Sequence, residues 1–200
     1  MKKMLTVLAA SLACAAACAQ TTQFEGYSAA FSLNRFSSST SLTSEDGRLN
    51  YGGQSWNGSI QAAYGFALKA NSVLSIGGTF TFGNVEGGGE NFGIGESRYR
   101  AKNAYSIYVE PGFVLNEKTL AYAKLSSETA KGSAEVFGNP EYSKRIQGTG
   151  FGFGLRTMLD QNKFVQVEVK DINYGSADVG DGYTYKPKSV VGSIGLGMKF

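Results

Sequence analysis

Histidine is absent from this 200-residue sequence, which also has only 2 cysteines, 3 prolines and 1 tryptophan. Without histidine, a Ser-His-Asp triad and a histidine-ligated zinc site are both excluded. Beyond the N-terminal region, no apolar run approaches the ~20 residues of a transmembrane helix. If the mature chain enters a membrane, it must therefore do so as β-strands.

The first twenty residues, MKKMLTVLAASLACAAACAQ, resemble a secretory signal peptide in their layout. Two lysines precede an apolar run, and Ala17-Cys18-Ala19 forms an A-x-A cleavage pattern. We therefore predict a signal peptide over residues 1–19 and one mature domain over residues 20–200. An alternative interpretation makes Cys18 a lipid-modified N-terminus, although Ala15 stands where lipoprotein signals usually have leucine.

Cleavage after Ala19 would change the chemistry of the chain, because it removes Cys14 and Cys18 together with Lys2 and Lys3. The mature chain would then have no disulfide and no thiol. Its 17 basic residues against 16 acidic ones would give a net charge of about +1. This balance argues against nucleic acid as a partner.

Alternation of apolar with small or polar residues predicts eight β-strands. The abundance of glycine (27), tyrosine (11) and phenylalanine (13) agrees with a β-rich chain. Residues 119–128 are ambiguous, because the face with Tyr122, Lys124 and Glu128 is not clearly the polar one. The predicted strands span residues 26–34, 56–69, 73–83, 103–115, 119–128, 148–159, 164–172 and 190–200.

The connections between these strands alternate in length. Short turns are predicted near residues 70–72, 116–118 and 160–162. Long loops are predicted over about 35–55, 84–102, 129–147 and 174–188. The topology of a β-sandwich does not require short and long connections to alternate. An up-and-down barrel places all short turns at one rim and all long loops at the other. The fold class predicted is all-β, an eight-stranded antiparallel up-and-down barrel.

The composition of the two strand faces predicts whether the outer surface of the barrel contacts water or lipid. The apolar face is rich in aromatic residues and carries no charge in the strands assigned above. The opposite face has mainly Gly, Ser, Thr and Ala with isolated charges, which suits the narrow interior of eight strands. We therefore predict a transmembrane barrel with its apolar face toward lipid. A secreted lipocalin-like or β-sandwich protein is the soluble alternative.

The C-terminal stretch VGSIGLGMKF, which ends on Phe200, resembles the terminal signature of Gram-negative outer-membrane β-barrels. Together with LAYAKL (120–125) and residues 148–175, it is similar to small OmpA-like and opacity-protein-like barrels of the porin family. The resemblance implies an outer-membrane location and recognition of Phe200 by the barrel assembly machinery. Because the sequence stops at Phe200, we do not expect the cell-wall tethering of the OmpA pattern.

The predicted inward face carries six charged residues that we interpret as an interior charge network. If the hairpins are symmetric, Glu110 lies opposite Lys124, and Arg156 lies opposite Glu168. Pairs of opposite sign would form a polar plug, and the functional alternative is a gate for small solutes. On the outer face, Trp56 and Phe200 are predicted interfacial aromatic residues. The network comprises Glu110, Lys124, Arg156, Glu168, Lys170 and Lys199.

No cofactor or metal site is predicted. Asp178 with Asp181, and Glu45 with Asp46, could bind Ca²⁺ weakly, but they lack EF-hand spacing and are better interpreted as solvated loop acids. The glycines of residues 87–95 lack the order of a phosphate-binding motif.

Three hypotheses on function follow from these features. The first is a non-enzymatic outer-membrane barrel that displays four mobile loops for adhesion, host interaction or envelope integrity. The second is a narrow solute channel, and the third is the soluble carrier. For the first we expect outer-membrane lipid as the surroundings, a surface ligand at the loops, and a monomer.

Overall fold

The strands of the computed structural model occupy almost all of the residues that it describes, which are 23–44, 47–68, 71–91, 96–136, 142–178 and 184–200. The predicted signal peptide, Glu45, Asp46, Asp181 and residues 92–95 lie outside these ranges. Among the described residues, no helix is long and apolar enough to cross a membrane. The strands are β1 (Gly26–Ser44), β2 (Gly47–Ala67), β3 (Ser72–Thr81), β4 (Asn84–Asn91), β5 (Glu96–Asn116), β6 (Thr119–Val136), β7 (Tyr142–Met158), β8 (Lys163–Tyr174), β9 (Ala177–Asp178) and β10 (Thr184–Lys199).

These strands form one antiparallel sheet that closes on itself. Neighbours in the sheet follow the order β1, β2, β3, β5, β6, β7, β8 and β10, and β10 pairs again with β1. The closing register runs from Ser28 opposite Lys199 to Thr43 opposite Thr184. β4 continues the wall beyond β3, and β9 continues it beyond β8. The predicted eight-stranded up-and-down barrel is confirmed, and a two-sheet sandwich is excluded.

The side chains alternate across the wall in the predicted phase. Large apolar residues of the predicted lipid face are exposed in every one of the eight barrel strands, including Phe31, Ile107 and Leu196 at 57, 68 and 65%. The intervening residues point inward and are mostly buried. An apolar outer surface around a polar interior is the arrangement that a lipid bilayer requires.

The four segments predicted as long loops are largely strand in the structure. β1 continues to Ser44 and β2 begins at Gly47, and the other three hairpins are extended in the same way. Outside a membrane the outer face of a strand meets water and becomes polar, so apolar alternation is lost although the backbone ladder continues. We call the ring of exposed apolar side chains on the outer face the apolar belt. The sequence pattern therefore predicted only the part of each strand that lies within this belt.

The barrel interior is divided into layers along its axis. At the end with the short turns, an apolar cluster fills the lumen: Phe24, Ala30, Val73, Val114, Leu120, Met158 and Phe164. Toward the extended hairpins, a second apolar cluster contains Phe36, Val85, Ala104, Ala130, Ile146, Ile172, Tyr174 and Val191. The buried charged residues lie between these two clusters.

Candidate functional site: the charge network in the barrel interior

Four of the predicted network residues meet at the centre of the lumen. Glu110 on β5, Lys124 on β6, Arg156 on β7 and Glu168 on β8 all point inward and are buried. Consecutive strands place them side by side, because inward positions recur at every second residue. Glu110 is only 1% exposed, so its carboxylate has lost nearly all contact with solvent.

The ion pairs at the centre connect these four residues in a chain. The Arg156 guanidinium donates to Glu110 Oε1 at 2.9 Å, and Lys124 Nζ lies 3.5 Å from Glu110 Oε2. Lys124 Nζ also contacts Glu168 Oε2, which accepts a hydrogen bond from the Tyr122 hydroxyl at 3.1 Å. Two carboxylates and two cations thus neutralise one another, as buried charges require.

Neutral side chains extend the central cluster across the lumen. Gln166 Oε1 accepts hydrogen bonds from Arg156 Nε and the terminal guanidinium nitrogen at 3.3 and 3.2 Å. Gln166 Nε2 in turn donates to Gln61 Oε1 at 3.3 Å, which connects β8 to β2 on the other side of the barrel. Lys124 Nζ also lies 4.4 Å from the centroid of the Tyr108 ring.

A second ion pair lies nearer the extended hairpins. Lys170 Nζ lies 2.7 Å from Glu128 Oε1, and the Ser126 hydroxyl donates to the same oxygen at 2.7 Å. Glu128 was not among the predicted network residues, although it lies in phase with Lys124 on β6. This pair is neutral as well, so the six charges of both clusters balance.

The predicted pairing of Arg156 with Glu168 is wrong. Arg156 lies opposite Gln166 in the register, and Glu168 lies opposite Gly154. The hairpin is centred one residue earlier than predicted, which moves the residue opposite Arg156 by two positions and keeps the inward face unchanged. Arg156 pairs with Glu110 instead.

The turn between β7 and β8 explains this register. Asp160 Oδ1 accepts backbone hydrogen bonds from Asn162 at 2.8 Å and Lys163 at 2.7 Å, and Leu159 N donates to Lys163 O at 2.8 Å. The N–H groups of Asn162 and Lys163 hold the pKa of Asp160 below its usual value. A turn stabilised by an aspartate in this way fixes the hairpin, which symmetry alone cannot do.

Lys199 is not part of the central network. Its ammonium donates to the backbone carbonyl of Gln23 at 3.2 Å, at the rim with the short turns. Lys199 O accepts a hydrogen bond from Asn162 Nδ2 at 3.1 Å, and Lys199 N donates to Asn162 O at 2.7 Å. Its contacts join the end of β10 to the chain start and to the β7–β8 turn.

Phe200 and Trp56 both point away from the barrel axis. Phe200 is 73% exposed, and its backbone N–H donates to Tyr27 O at 2.9 Å, which fixes the last residue to β1. Trp56 lies on β2 near the edge of the apolar belt that faces the extended hairpins, and the Arg35 guanidinium lies 5.8 Å from its ring centroid. Both positions suit aromatic side chains at a membrane interface.

Sequence reasoning on charges alone missed the neutral members of the network. Gln166, Tyr108 and Tyr122 contact the charged groups, and Gln61 contacts Gln166. The alternation places Gln61, Gln166 and Tyr108 on the inner face. A search of inward positions for every polar side chain would have included them. Elsewhere in the described ranges, no group of three or more His, Cys, Asp or Glu residues could hold a metal ion.

An apolar outer wall around a polar, charge-balanced interior defines a transmembrane β-barrel of the outer-membrane type. The sequence matches the outer membrane protein beta-barrel domain family over residues 5–200, and the chain belongs to that family. It is accordingly a protein of the Gram-negative outer membrane, embedded in membrane lipid. A search of curated proteins finds no significant match to the sequence.

Two solved structures, OprG and AlkL, share the fold at low sequence identity, and a third is also similar. OprG of Pseudomonas aeruginosa is 10% identical, with 88% of this chain and 96% of that chain covered and a TM-score of 0.52. AlkL, determined in lipid bilayers, is 15% identical, with 88% and 90% covered and a TM-score of 0.51. Neisserial surface protein A is 15% identical, with 86% and 99% covered and a TM-score of 0.49.

Proposed function

We propose that this protein is a non-enzymatic outer-membrane barrel with a sealed lumen, which holds four β-hairpins above the outer leaflet for contact with an external ligand. The observation that supports the proposal is the set of buried ion pairs across the lumen. When paired charges fill the lumen, partners cannot bind inside the barrel. The outer hairpins are then the surface at which a partner can bind.

Cavity sizes on both sides of the charge network support the seal. On the hairpin side, a cavity of about 30 Å³ adjoins Lys124 and Glu168. On the turn side, a cavity of about 10 Å³ adjoins Arg156 and Phe164. The first has room for about one water molecule and the second scarcely for one. Members of the two apolar clusters line these cavities, Phe36 and Val191 in the first and Phe24 and Met158 in the second. A hydrated solute would therefore have to displace both apolar and charged side chains.

The lengths of the strands support display by the hairpins. A membrane-spanning β-strand needs roughly 9–11 residues. β2 and β5 each have 21 residues, and β1 has 19. The excess lies on the hairpin side, because the apolar belt begins at the short turns. Two-stranded extensions hold their side chains in the fixed order of the strand register, which favours recognition of an extended ligand.

The chain also has features that bear on its export and assembly. We propose cleavage of residues 1–19 as a signal peptide and recognition of the strand ending in Phe200 by the barrel assembly machinery. A closed sheet has no unpaired edge at membrane depth, which supports a monomer.

A conductance measurement separates this proposal from the narrow-channel alternative. We expect purified protein in planar lipid bilayers to show no steady conductance, because apolar clusters and paired charges fill the described part of the lumen. Steady single-channel currents that change when Glu110 is replaced by alanine would contradict the sealed lumen and support a channel. The matched control is Glu117→Ala, which removes an exposed turn carboxylate.

Shortening the hairpins tests the display role. Replacing residues 42–49 by Asn-Gly leaves Ser41 opposite Asn50 as the closing pair, and replacing 134–142 by Asn-Gly leaves Ser133 opposite Ser143. We expect both variants to keep the unboiled electrophoretic mobility of a closed barrel and to lose adhesion of the bacteria to host cells or matrix. Insertion of Asn-Gly between Glu117 and Lys118 is the control at the opposite rim. Unchanged adhesion by both variants would contradict the proposal.

A further inference from the structure

The backbone ladder on one side of β2 ends at Gly58. Phe82 N donates to Gly58 O at 2.8 Å, and beyond this bond β4 pairs with β5 and not with β2. The N–H and C=O groups of every second residue in a strand point to the same side. Those of Trp56, Gln54 and Gly52 therefore point to the side of Gly58 O, where the described residues supply no backbone partner.

β4 leaves this edge of β2 unpaired because it bends toward the lumen and lies on the inner face of β2. Asn57 Nδ2 donates to Asn84 O at 2.9 Å, and Glu86 N donates to Ser55 Oγ at 3.3 Å. A methyl group added at Gly53 would lie 2.7 Å from Glu86 O, so the β4 backbone passes directly over this glycine. β4 is thus attached to β2 through inward side chains, and the edge of β2 takes no part in the attachment.

The unpaired edge of β2, formed by Gly52, Gln54 and Trp56, is accessible on the hairpin side of the apolar belt. We call these three residues the open edge. Gly52 is exposed, and because glycine has no side chain, its exposure is that of the backbone. Gln54 and Trp56 are exposed as well. Proteins usually protect such an edge with charged residues or proline, and the open edge has neither.

We propose that the open edge binds an extended peptide segment of an external protein, which adds to the sheet as a further strand beside β2. The open edge offers N–H and C=O groups at every second residue, roughly 6.8 Å apart. An extended polypeptide carries complementary groups at the same spacing, and main-chain hydrogen bonds then supply the affinity. This inference rests on the proposed display of the hairpins and specifies the class of ligand that they bind.

The side chains of the open edge indicate which peptide fits. Trp56 is 64% exposed on the outer face, so the residue opposite it on the added strand should be apolar or aromatic. Gln54 accepts a hydrogen bond from Arg35 at 2.9 Å and offers a polar neighbour at the next outward position. A second copy of this chain does not fit the open edge. Two copies in one membrane are related by an axis along the membrane normal, which sets their β2 strands parallel with reversed faces.

The fluorescence of Trp56, the sole tryptophan of the chain, tests the proposal at the site itself. The probe is the peptide KTVTYTVTK, titrated into the folded protein in neutral detergent micelles. We expect the tryptophan emission to change as the peptide binds. The same peptide N-methylated at every internal residue should bind at least about tenfold more weakly, because it has lost its backbone donors. Equal binding of the two peptides, or no change in emission with either, would overturn the proposal.

Two variants at position 54 separate the role of the backbone from that of the side chain. Gln54→Pro removes an N–H group that has no backbone partner among the described residues, so the barrel should keep its unboiled electrophoretic mobility. Gln54→Thr changes the side chain and keeps the N–H group. We expect the peptide to bind at least about tenfold more weakly to Gln54→Pro and within about twofold of the natural protein to Gln54→Thr. Equal affinities of the two variants would contradict strand addition.

Bacterial adhesion distinguishes a failure of this inference from a failure of the display role. If the shortened hairpins abolish adhesion and Gln54→Pro leaves it intact, the hairpins display a different site and the inference is wrong. If Gln54→Pro loses the peptide while the shortened hairpins keep adhesion, the open edge remains a peptide site and the display role is wrong. We expect both Gln54→Pro and the shortened hairpins to lose adhesion, and Gln54→Thr to keep it.

Discussion

Replacing Lys124 by methionine is expected to lower the free energy of unfolding by about 3–5 kcal/mol. Lys124 contacts both Glu168 and Glu110, and all three residues are at most 9% exposed. Methionine has a similar length but no charge, so the network keeps two carboxylates with one cation. Urea unfolding in lipid vesicles, followed by unboiled electrophoresis, measures the loss.

Two further variants show whether the loss comes from the unpaired charge. Lys118→Met removes an exposed lysine from the β5–β6 turn and should leave stability nearly unchanged. The double variant Lys124→Met with Glu168→Gln removes a cation and an anion together, and we expect it to regain part of the lost stability. A double variant less stable than Lys124→Met would show that the cost lies in packing and not in charge.

Replacing Gly77 by alanine is expected to destabilise the barrel by about 1–3 kcal/mol. An alanine methyl group at this position would lie 2.5 Å from both the Ala62 carbonyl oxygen and the Tyr108 hydroxyl. The Tyr108 ring covers this glycine from inside the lumen, and the same relation holds for Tyr122 over Gly154, where the methyl-to-hydroxyl distance would be 2.6 Å. Tyrosine covering glycine fills a narrow lumen without voids.

Gly192→Ala is the matched control for this prediction. A methyl group at position 192 would meet no atom within 4 Å, because Gly192 faces outward on β10. We expect the same urea midpoint for Gly192→Ala as for the natural protein, and a lower midpoint for Gly77→Ala. Equal midpoints for the two variants would mean that Tyr108 moves aside at little cost.

Period-two alternation sufficed to predict the barrel, but only at membrane depth. Between Tyr105 and Leu115 the bilayer imposes an apolar outer face, so the sequence records which way each residue points. Beyond the belt, β1 passes through SSSTS, where both faces are polar and no alternation exists. The backbone ladder continues there because it depends on N–H and C=O groups that all residues share.

The sequence predicted which residues belong to the charge network better than it predicted which of them contact one another. Glu110, Lys124, Arg156 and Glu168 share the inward phase, which alternation indicates clearly for all except Lys124 in the ambiguous strand 119–128. Which of them meet depends on the register, and Asp160 determines that register through backbone hydrogen bonds in the turn. The contact between Arg156 and Glu110 also joins β7 to β5, which are not adjacent, and only the curvature of the closed wall brings them together.

The pairing of β1 with β10 connects residues from opposite ends of the chain, such as Ser28 and Lys199. This seam forms only when β10 reaches β1, so until then one edge of each strand keeps unpaired N–H and C=O groups. Such long-range closure is slow, and exposed strand edges promote aggregation. We therefore expect a chain in which β1 and β10 are not yet paired to need protection of these two edges.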